Sequence, residues 1–324
     1  MMFWSDWGQN PRIERADLDG AMRRVIVSTK LYWPNGLALD YTTRRVYFAD
    51  AYLKYIDYCD YEGNNRQQVM ASDLVLQHPH GMTVFEDHVY WSERYTSKVM
   101  RTNKFHGGNA SVLLNGVYQP MGLALKHPVK QPAATNPCAE HLCSQLCLLS
   151  ARRPVYYSCH CQSGWTLDPG DRRTCVRDDK PFLMVVRESV ILGVPLDPLD
   201  TSNNAMAPVS GITGGRDIEF DHREQFVYWV QSSVSGRSEG SIWRVKTTGT
   251  NRTQFAPAAI IGSPSGLAFD WMSRIMYYTN PTGKSIEVIR ADGSQHYRRT
   301  LISSSGTPEG AGEPVAIALD PARG

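Results

Sequence analysis

Six of the seven cysteines crowd between Cys138 and Cys175, spaced C-x4-C-x3-C-x11-C-x-C-x13-C. Thiols at that density either hold a metal or pair with one another. A zinc site of the common kind uses close C-x2-C pairs, and this stretch has none. Pairing is the favoured chemistry, but six cysteines admit fifteen connectivities and spacing alone leaves them open. A module of about 40 residues buries too little core to hold itself together. Crosslinks that restrict the unfolded chain must help, at about 2–4 kcal/mol each.

Histidine is the next reactive type. His78 and His80 flank Pro79, and His88 and His106 follow within a short span. Imidazole changes charge between neutral and mildly acidic pH, so His78 and His80 are the candidate pH sensors. The plainer alternative is a pair of surface-loop histidines coupled to nothing. Carboxylates are spread out: Asp6, Asp40, Asp50, Asp221, Asp270 and Asp320 recur at regular places and do not converge. With no Ser-His-Asp arrangement and no histidine-rich cluster, no catalytic residue, metal or cofactor is expected. Two Asn-x-Ser/Thr acceptors, NAS at Asn109 and NRT at Asn251, are candidate glycosylation sites.

The regular places are those of a repeat. An aromatic triplet ending in a polar residue occurs as FWSD at 3–6, YFAD at 47–50, YWSE at 90–93, YWVQ at 228–231 and YYTN at 277–280. An apolar-led element closing on glycine follows each copy, starting at Ile13, Ile56, Val99, Ile242 and Ile286. A Pro-x-Gly element precedes three of them, at Pro34, Pro79 and Pro264. Apolar and polar residues alternate, and Gly, Pro and Asn-Gly punctuate the joins, so each element is a predicted strand. No stretch keeps a capped 3.6-residue period. A spacing of about 43 residues with four short strands is the size of a propeller blade. The fold class expected is all-β. In this register Cys59 falls at the position of Ala16, Thr102, Val245 and Ile289, which makes it a buried free thiol.

These motifs resemble the six-bladed YWTD β-propellers of the LDL receptor family, and the giant LDL-receptor-related proteins such as megalin match the arrangement best. The resemblance marks Tyr47, Tyr90, Tyr228 and Tyr277 as blade-motif residues. It implies that Asp6 and Asp50 hydrogen-bond between neighbouring blades. Glu93, Gln231 and Asn280 depart from that acid, so their joints are expected to be differently bonded. The cysteine spacing, with Gly164 and Trp165 after Cys161, resembles an EGF-like module. That implies pairing of Cys138 with Cys147, Cys143 with Cys159 and Cys161 with Cys175. AATNPC lacks the acids that calcium-binding modules carry before their first cysteine, so no calcium is expected there.

Disulfides require an oxidising compartment. Yet the N-terminus MMFWSDWG lacks the pattern of a signal peptide, and no apolar run reaches the roughly 20 residues of a membrane helix. The expectation is an extracellular or lumenal fragment of a membrane receptor. Residues 1–128 resemble the end of one propeller, 135–176 the EGF-like module and 180–324 the start of a second propeller. QPMGLALKHP at 119–128 and PVAIALDPARG at 314–324 each open a blade that does not proceed. Pairing such orphan strands would give six blades, so the fragment could close as one permuted propeller.

A net charge of +2 gives no reason to expect a nucleic-acid partner. The resemblance implies protein or lipoprotein ligands, neighbouring modules of a longer chain, and a role in endocytosis with acid-triggered ligand release. A Wnt-type co-receptor or an extracellular-matrix protein built of the same modules is the alternative. A propeller hydrolase is disfavoured, because the recurring aspartates follow the repeat.

Overall fold

The computed structural model describes residues 1–140, 142–151, 154–232, 240–292, 297–303 and 312–322. The fold is all-β, with one short α-helix, Ala258–Ile261, and a 3-10 turn at Pro128–Lys130 among the described residues. The chain divides into two compact units, Met1–Leu142 with Cys147–Ser158, and Cys143–Leu146 with Cys159–Gly324.

Unit 1 contains a three-stranded sheet, β1 (Met2–Asp6), β2 (Arg12–Ala16) and β3 (Arg24–Val27). Two four-stranded meanders follow. The first is β4 (Pro34–Asp40), β5 (Arg45–Asp50), β6 (Tyr55–Asp60) and β7 (Gln67–Ala71). The second is β8 (Pro79–Phe85), β9 (His88–Glu93), β10 (Lys98–Asn103) and β11 (Ser111–Asn115). The cysteine-rich stretch adds two small sheets, β12 (Leu146–Leu149) with β13 (Tyr157–His160), and β14 (Trp165–Leu167) with β15 (Cys175–Arg177). Unit 2 contains a three-stranded sheet of β16 (Phe182–Val186), β17 (Val190–Pro195) and β18 (Val209–Ser210). Two more meanders complete it. They are β19 (Gly215–Asp221), β20 (Phe226–Ser232), β21 (Gly240–Lys246) and β22 (Thr253–Ala256), then β23 (Leu267–Asp270), β24 (Ile275–Asn280), β25 (Ser285–Arg290) and β26 (Arg298–Ser303).

The repeat becomes a repeated register. Tyr47, Tyr90, Tyr228 and Tyr277 each stand on the second strand, opposite Ala38, Thr83, Glu219 and Ala268 on the first. The companion residue faces the triplet identically in all five copies: Ser5–Ile13, Ala49–Ile56, Ser92–Val99, Val230–Ile242 and Thr279–Ile286. Immediately after that residue the ladder to the next strand slips in every copy, at Ile13/Glu14, Ile56/Asp57, Val99/Met100, Ile242/Trp243 and Ile286/Glu287. A bulge adds local twist, and the repeated bulge turns every outer strand alike. In three copies an acid at the slip is clamped by an arginine further along: Glu14 by Arg23, Asp57 by Arg66 and Glu287 by Arg298. Trp243 replaces the acid in a fourth, and Arg252 lies over its ring instead.

Large side chains fill the space between sheets. Tyr47 packs with Met82, Val84 and Trp91 of the following meander, and Tyr228 with Leu267, Phe269 and Tyr278 of its own follower. Both tyrosines are fully buried, whereas Tyr90 and Tyr277 are half-buried. The latter two stand on meanders beside a single segment, around 121–125 and 315–319, that joins no ladder among the described residues. Each segment nevertheless lies against the preceding first strand. A Cβ on Gly81 would sit 2.3 Å from the Met121 carbonyl oxygen, and one on Gly266 2.5 Å from that of Val315. Only glycine allows that approach.

Sheet-to-sheet bonding differs from the expectation. The Ser92 hydroxyl accepts from Gly81 N at 2.8 Å and donates to Met121 O at 2.5 Å. Thr279, one blade position equivalent, accepts from Gly266 N and donates to Val315 O at 3.0 Å. Buried ion pairs add a second crossing, Lys104 to Asp40 at 2.8 Å and Arg274 to Asp221 through both guanidinium ends. The hydroxyl before the motif acid, and the aspartate seven residues before the aromatic, make the crossings. The motif acid Asp50 instead accepts from amides of the segment leading into β4 and of the hairpin leaving β5. Cys59 sits at the column predicted, with Ala16, Thr102, Val245 and Ile289, and all five are buried.

Candidate ligand-binding face

Asp50 ends β5 fully buried, and four backbone amides converge on it. One oxygen accepts from Tyr32 N at 2.6 Å and Trp33 N at 3.1 Å, the other from Tyr52 N at 3.0 Å and Leu53 N at 2.9 Å. The acid thus pins both the loop leading into β4 and the hairpin leaving β5. Glu93 does the same one blade on, accepting from Gln77 N and His78 N. Charge-assisted bonds to amides are the strong kind. Asp6 is half-exposed and holds Gly8 N and Arg12.

Loops fixed in this way present rings. Trp7, Tyr52 and Tyr95 follow Asp6, Asp50 and Glu93 by one or two residues, and Tyr32, Trp33 and His78 precede the first strands. Tyr32 stacks on Tyr52 at 4.1 Å, and Trp33 meets Trp7, Tyr52 and His78 edge-on at 6.1, 5.2 and 6.1 Å. His78 in turn stacks on Tyr95 at 4.3 Å. Trp7, Tyr32, Tyr52 and Tyr95 are 62 %, 49 %, 52 % and 66 % exposed, so the rings form a solvent-facing pavement. Contiguous exposed apolar surface of this kind marks an interaction site.

The charges around the rings are mixed. Lys30, Lys54, Arg94 and Lys98 stand with Asp6, Asp50, Asp73 and Glu93, and Lys54 pairs with Asp73 at 3.2 Å. His78 is buried, and its Nδ1 and Arg94 Nε lack a hydrogen-bond partner among the described residues. Burial pushes the His78 imidazole below its ordinary value, with Arg94 and then His80 adding repulsion. His80, half-buried on β8, is lowered by burial and Arg94 and partly restored by the Met121 backbone. Burial pushes Glu93 the other way, against the amides of His78, Gln77 and Tyr95 and the Trp91 side chain.

The described loops of unit 2 carry no counterpart. Gly214 and Ser263 hold the positions of Trp33 and His78, and Thr282 that of Tyr52 and Tyr95. The anchoring acid is gone as well. Gln231 has a buried Oε1 without a partner among the described residues, and Asn280 accepts from Gly283 N and donates to Ile261 O at 3.4 Å.

The remaining predicted residues take no part in the ring contacts described. Cys138–Cys147, Cys143–Cys159 and Cys161–Cys175 are bridged, with Cα separations of 5.8, 5.3 and 5.7 Å. Cys59 is free and fully buried, and burial pushes its thiol up to about 12. Asn109 and Asn251 are exposed at the turn between the third and fourth strands of their meanders, both at positive φ. Each hydroxyl two residues on accepts from an arginine, Ser111 from Arg101 and Thr253 from Arg244. No helix among the described residues is long and apolar enough to cross a membrane, and no cluster of three metal-ligating side chains occurs among them.

Comparison with known proteins places residues 1–41 in the low-density lipoprotein receptor repeat class B. Over its whole length the chain is 31% identical to the vitellogenin receptor Yl of Drosophila melanogaster, covering 16% of that protein. It is 29% identical over 89% of its length to the vitellogenin receptor of Solenopsis invicta, again covering 16%. Against low-density lipoprotein receptor-related protein 4 of Mus musculus it is 34% identical over 69% of its length, covering 11%. The chain therefore spans about a sixth or less of these relatives. Superpositions on solved structures are loose. A nidogen/laminin complex gives a TM-score of 0.31 at 14% identity over 98% of this chain and 79% of that one. A gluconolactonase of Xanthomonas campestris gives 0.28 at 13%, over 99% and 79%.

Proposed function

We propose, for a chain that carries a class B repeat and is homologous to receptors of the LDL-receptor-related family, that it is an extracellular piece of an endocytic receptor. Its ring-bearing face handles a protein or lipoprotein ligand and lets it go in acid. Two relatives are by name vitellogenin receptors, which makes a vitellogenin-type lipoprotein the ligand to try first. Three bridges in the middle of the chain support an oxidising compartment and an EGF-like module of the kind found in the giant members. Glycans on Asn109 and Asn251 fit the same compartment, since both side chains stand in solvent on turns.

The observation that carries this reading is His78, a buried imidazole seated between Trp33 and Tyr95 among exposed rings. Its sign is set by its surroundings. The folded-state pKa values of His78 and His80 lie below the ordinary 6.5, so the unfolded chain takes up protons first. No penalty exists well above pH 6.5; it grows as pH falls through 6.5 towards the folded-state values. Protonation then places a new charge beside Arg94 and loosens the ring stack. Glu93 works in the opposite sense, because its raised pKa favours proton uptake in the fold.

The test is release of vitellogenin from the immobilised chain between pH 7.5 and 5. Wild type should release with a midpoint below about 6.5, and His78→Ala with His80→Ala should move that midpoint. An unmoved midpoint removes the histidines from the mechanism; failure to bind vitellogenin at neutral pH removes the ligand class.

A further inference from the structure

The inner strands β4 and β8 begin at the ring-bearing loops and end, at Leu39–Asp40 and Val84–Phe85, against a cavity of about 220 Å³. Residues 127–130 form its far wall. The cavity holds the volume of about seven liquid waters at about 30 Å³ each, enough for a body the size of a phenyl ring on a short linker. Leu39, Tyr41, Val84, Phe85 and Val129 make most of its lining apolar.

One cation in it, Lys130, has no ion-pair partner among the described residues. Lys130 Nζ lies 3.3 Å from Leu39 O and 3.4 Å from Val84 O, both long for an N–H···O bond, and 5.2 Å above the Tyr41 ring. Asp40 is the nearest acid acting on it, but that carboxylate is already committed. Its Oδ2 takes Lys104 at 2.8 Å, and its Oδ1 takes Thr42 N at 3.1 Å and Thr42 Oγ1 at 2.6 Å. His127 is turned to other work, its Nδ1 accepting from Val129 N at 3.2 Å and its ring lying against Phe85. Glu86 lines the rim without forming an ion pair with Lys130. Burial accordingly pushes the Lys130 amine below its ordinary value, with Asp40 partly opposing. A cation at the wall of an apolar cavity, with no free carboxylate beside it but the exposed rim residue Glu86, has room for an anion.

We infer that this cavity binds a small monocarboxylate with a compact apolar body, the carboxylate on Lys130 and the body against Leu39, Val84, Phe85 and Val129. A dianion is excluded by the single available cation. A neutral ligand would leave that cation as it is. The competing role is mechanical, with Lys130 merely pinning residues 127–130 across the ends of two strands.

The two roles separate by calorimetric titration of the whole chain with 3-phenylpropionate, 3-phenylpropionamide and acetate. The aromatic acid should bind saturably, with the amide and acetate each about tenfold weaker or more, since a hydrogen bond to a charged group is at stake. Lys130→Met should weaken the acid by about tenfold, and Lys130→Arg should retain most of the binding. Val129→Trp fills the cavity from a half-exposed position and should abolish binding with Lys130 untouched. Absence of saturable binding, equal affinity for acid and amide, or unchanged binding in Val129→Trp overturns the inference. Should Lys130→Met fail to fold, the acid-amide contrast on the native chain and Val129→Trp decide it.

Discussion

Corresponding loops of the two units carry opposite freight. In unit 1 they present Trp7, Tyr32, Trp33, Tyr52 and Tyr95 around a buried His78; in unit 2 the same positions hold Gly214, Ser263 and Thr282. The strands beneath are interchangeable, with identical pairing columns and the same bulge. What changes with the rings is the acid that anchors the loops. Asp50 and Glu93 collect backbone amides from both flanking loops, whereas Gln231 has a buried oxygen unpaired among the described residues and Asn280 reverses one bond. Large flat side chains held out to solvent gain little from burial, so their backbone must be fixed from below. At the Asn280 copy the acid is lost, and Ser263 and Thr282 stand where the rings would be.

The comparison is first broken at the level the units share. Lys104→Met in unit 1 and Arg274→Met in unit 2 each leave an aspartate buried without its cation, and each should cost about 3–5 kcal/mol in denaturant unfolding. A large loss in one unit alone would mean the joints are not equivalent. Restoring neutrality with Asp40→Asn beside Lys104→Met should recover part of the loss. Burial alone would raise Asp40; Lys104, Thr42 and Thr43 instead hold it well below the carboxylate range. Its stabilising contribution is therefore complete above the ordinary carboxylate pKa and disappears as pH falls through the folded-state value.

Next in size is the anchor itself. Asp50→Ala removes a carboxylate from four amides and should cost about 2–3 kcal/mol, while Asn280→Ala should cost about 1 kcal/mol or less. Equal costs would separate ring presentation from anchoring. The smallest effects should come from the rings. Tyr52→Ala with Tyr95→Ala should weaken vitellogenin binding by about tenfold, as truncation of exposed aromatic anchors does. Stability should stay within about 0.5 kcal/mol, and Thr282→Ala should change neither quantity.

Much of the scaffold was legible because strand chemistry repeats with the chain. The triplets and the companion residues share one register, and that register alone puts Cys59 in a buried column. The bonding was less legible. Nothing in YFAD says whether Asp50 faces a neighbouring sheet or its own loops, and the crossing hydroxyls of Ser92 and Thr279 are unremarkable as sequence. Lys104 and Arg274 reach their aspartates from 64 and 53 residues away, beyond any local spacing. Two signals were present and unread. The acid after the companion isoleucine stands nine residues before an arginine in Glu14–Arg23 and Asp57–Arg66. Aromatic residues one or two places past the motif acid, at Trp7, Tyr52 and Tyr95, spell the pavement. His78 was singled out for its chemistry, but its burial between Trp33 and Tyr95 depends on two loops meeting.

Hydrogen-exchange mapping of the chain with and without bound vitellogenin, at pH 7.5 and again near pH 5.5, compares the two loop sets in a single experiment. Protection at neutral pH should appear in 30–33, 51–53 and 94–96, be absent from 257–263 and 281–284, and fade in acid together with ligand release. Protection centred on the unit 2 loops, or equal protection at both pH values, would contradict a ring-bearing, acid-sensitive face on unit 1.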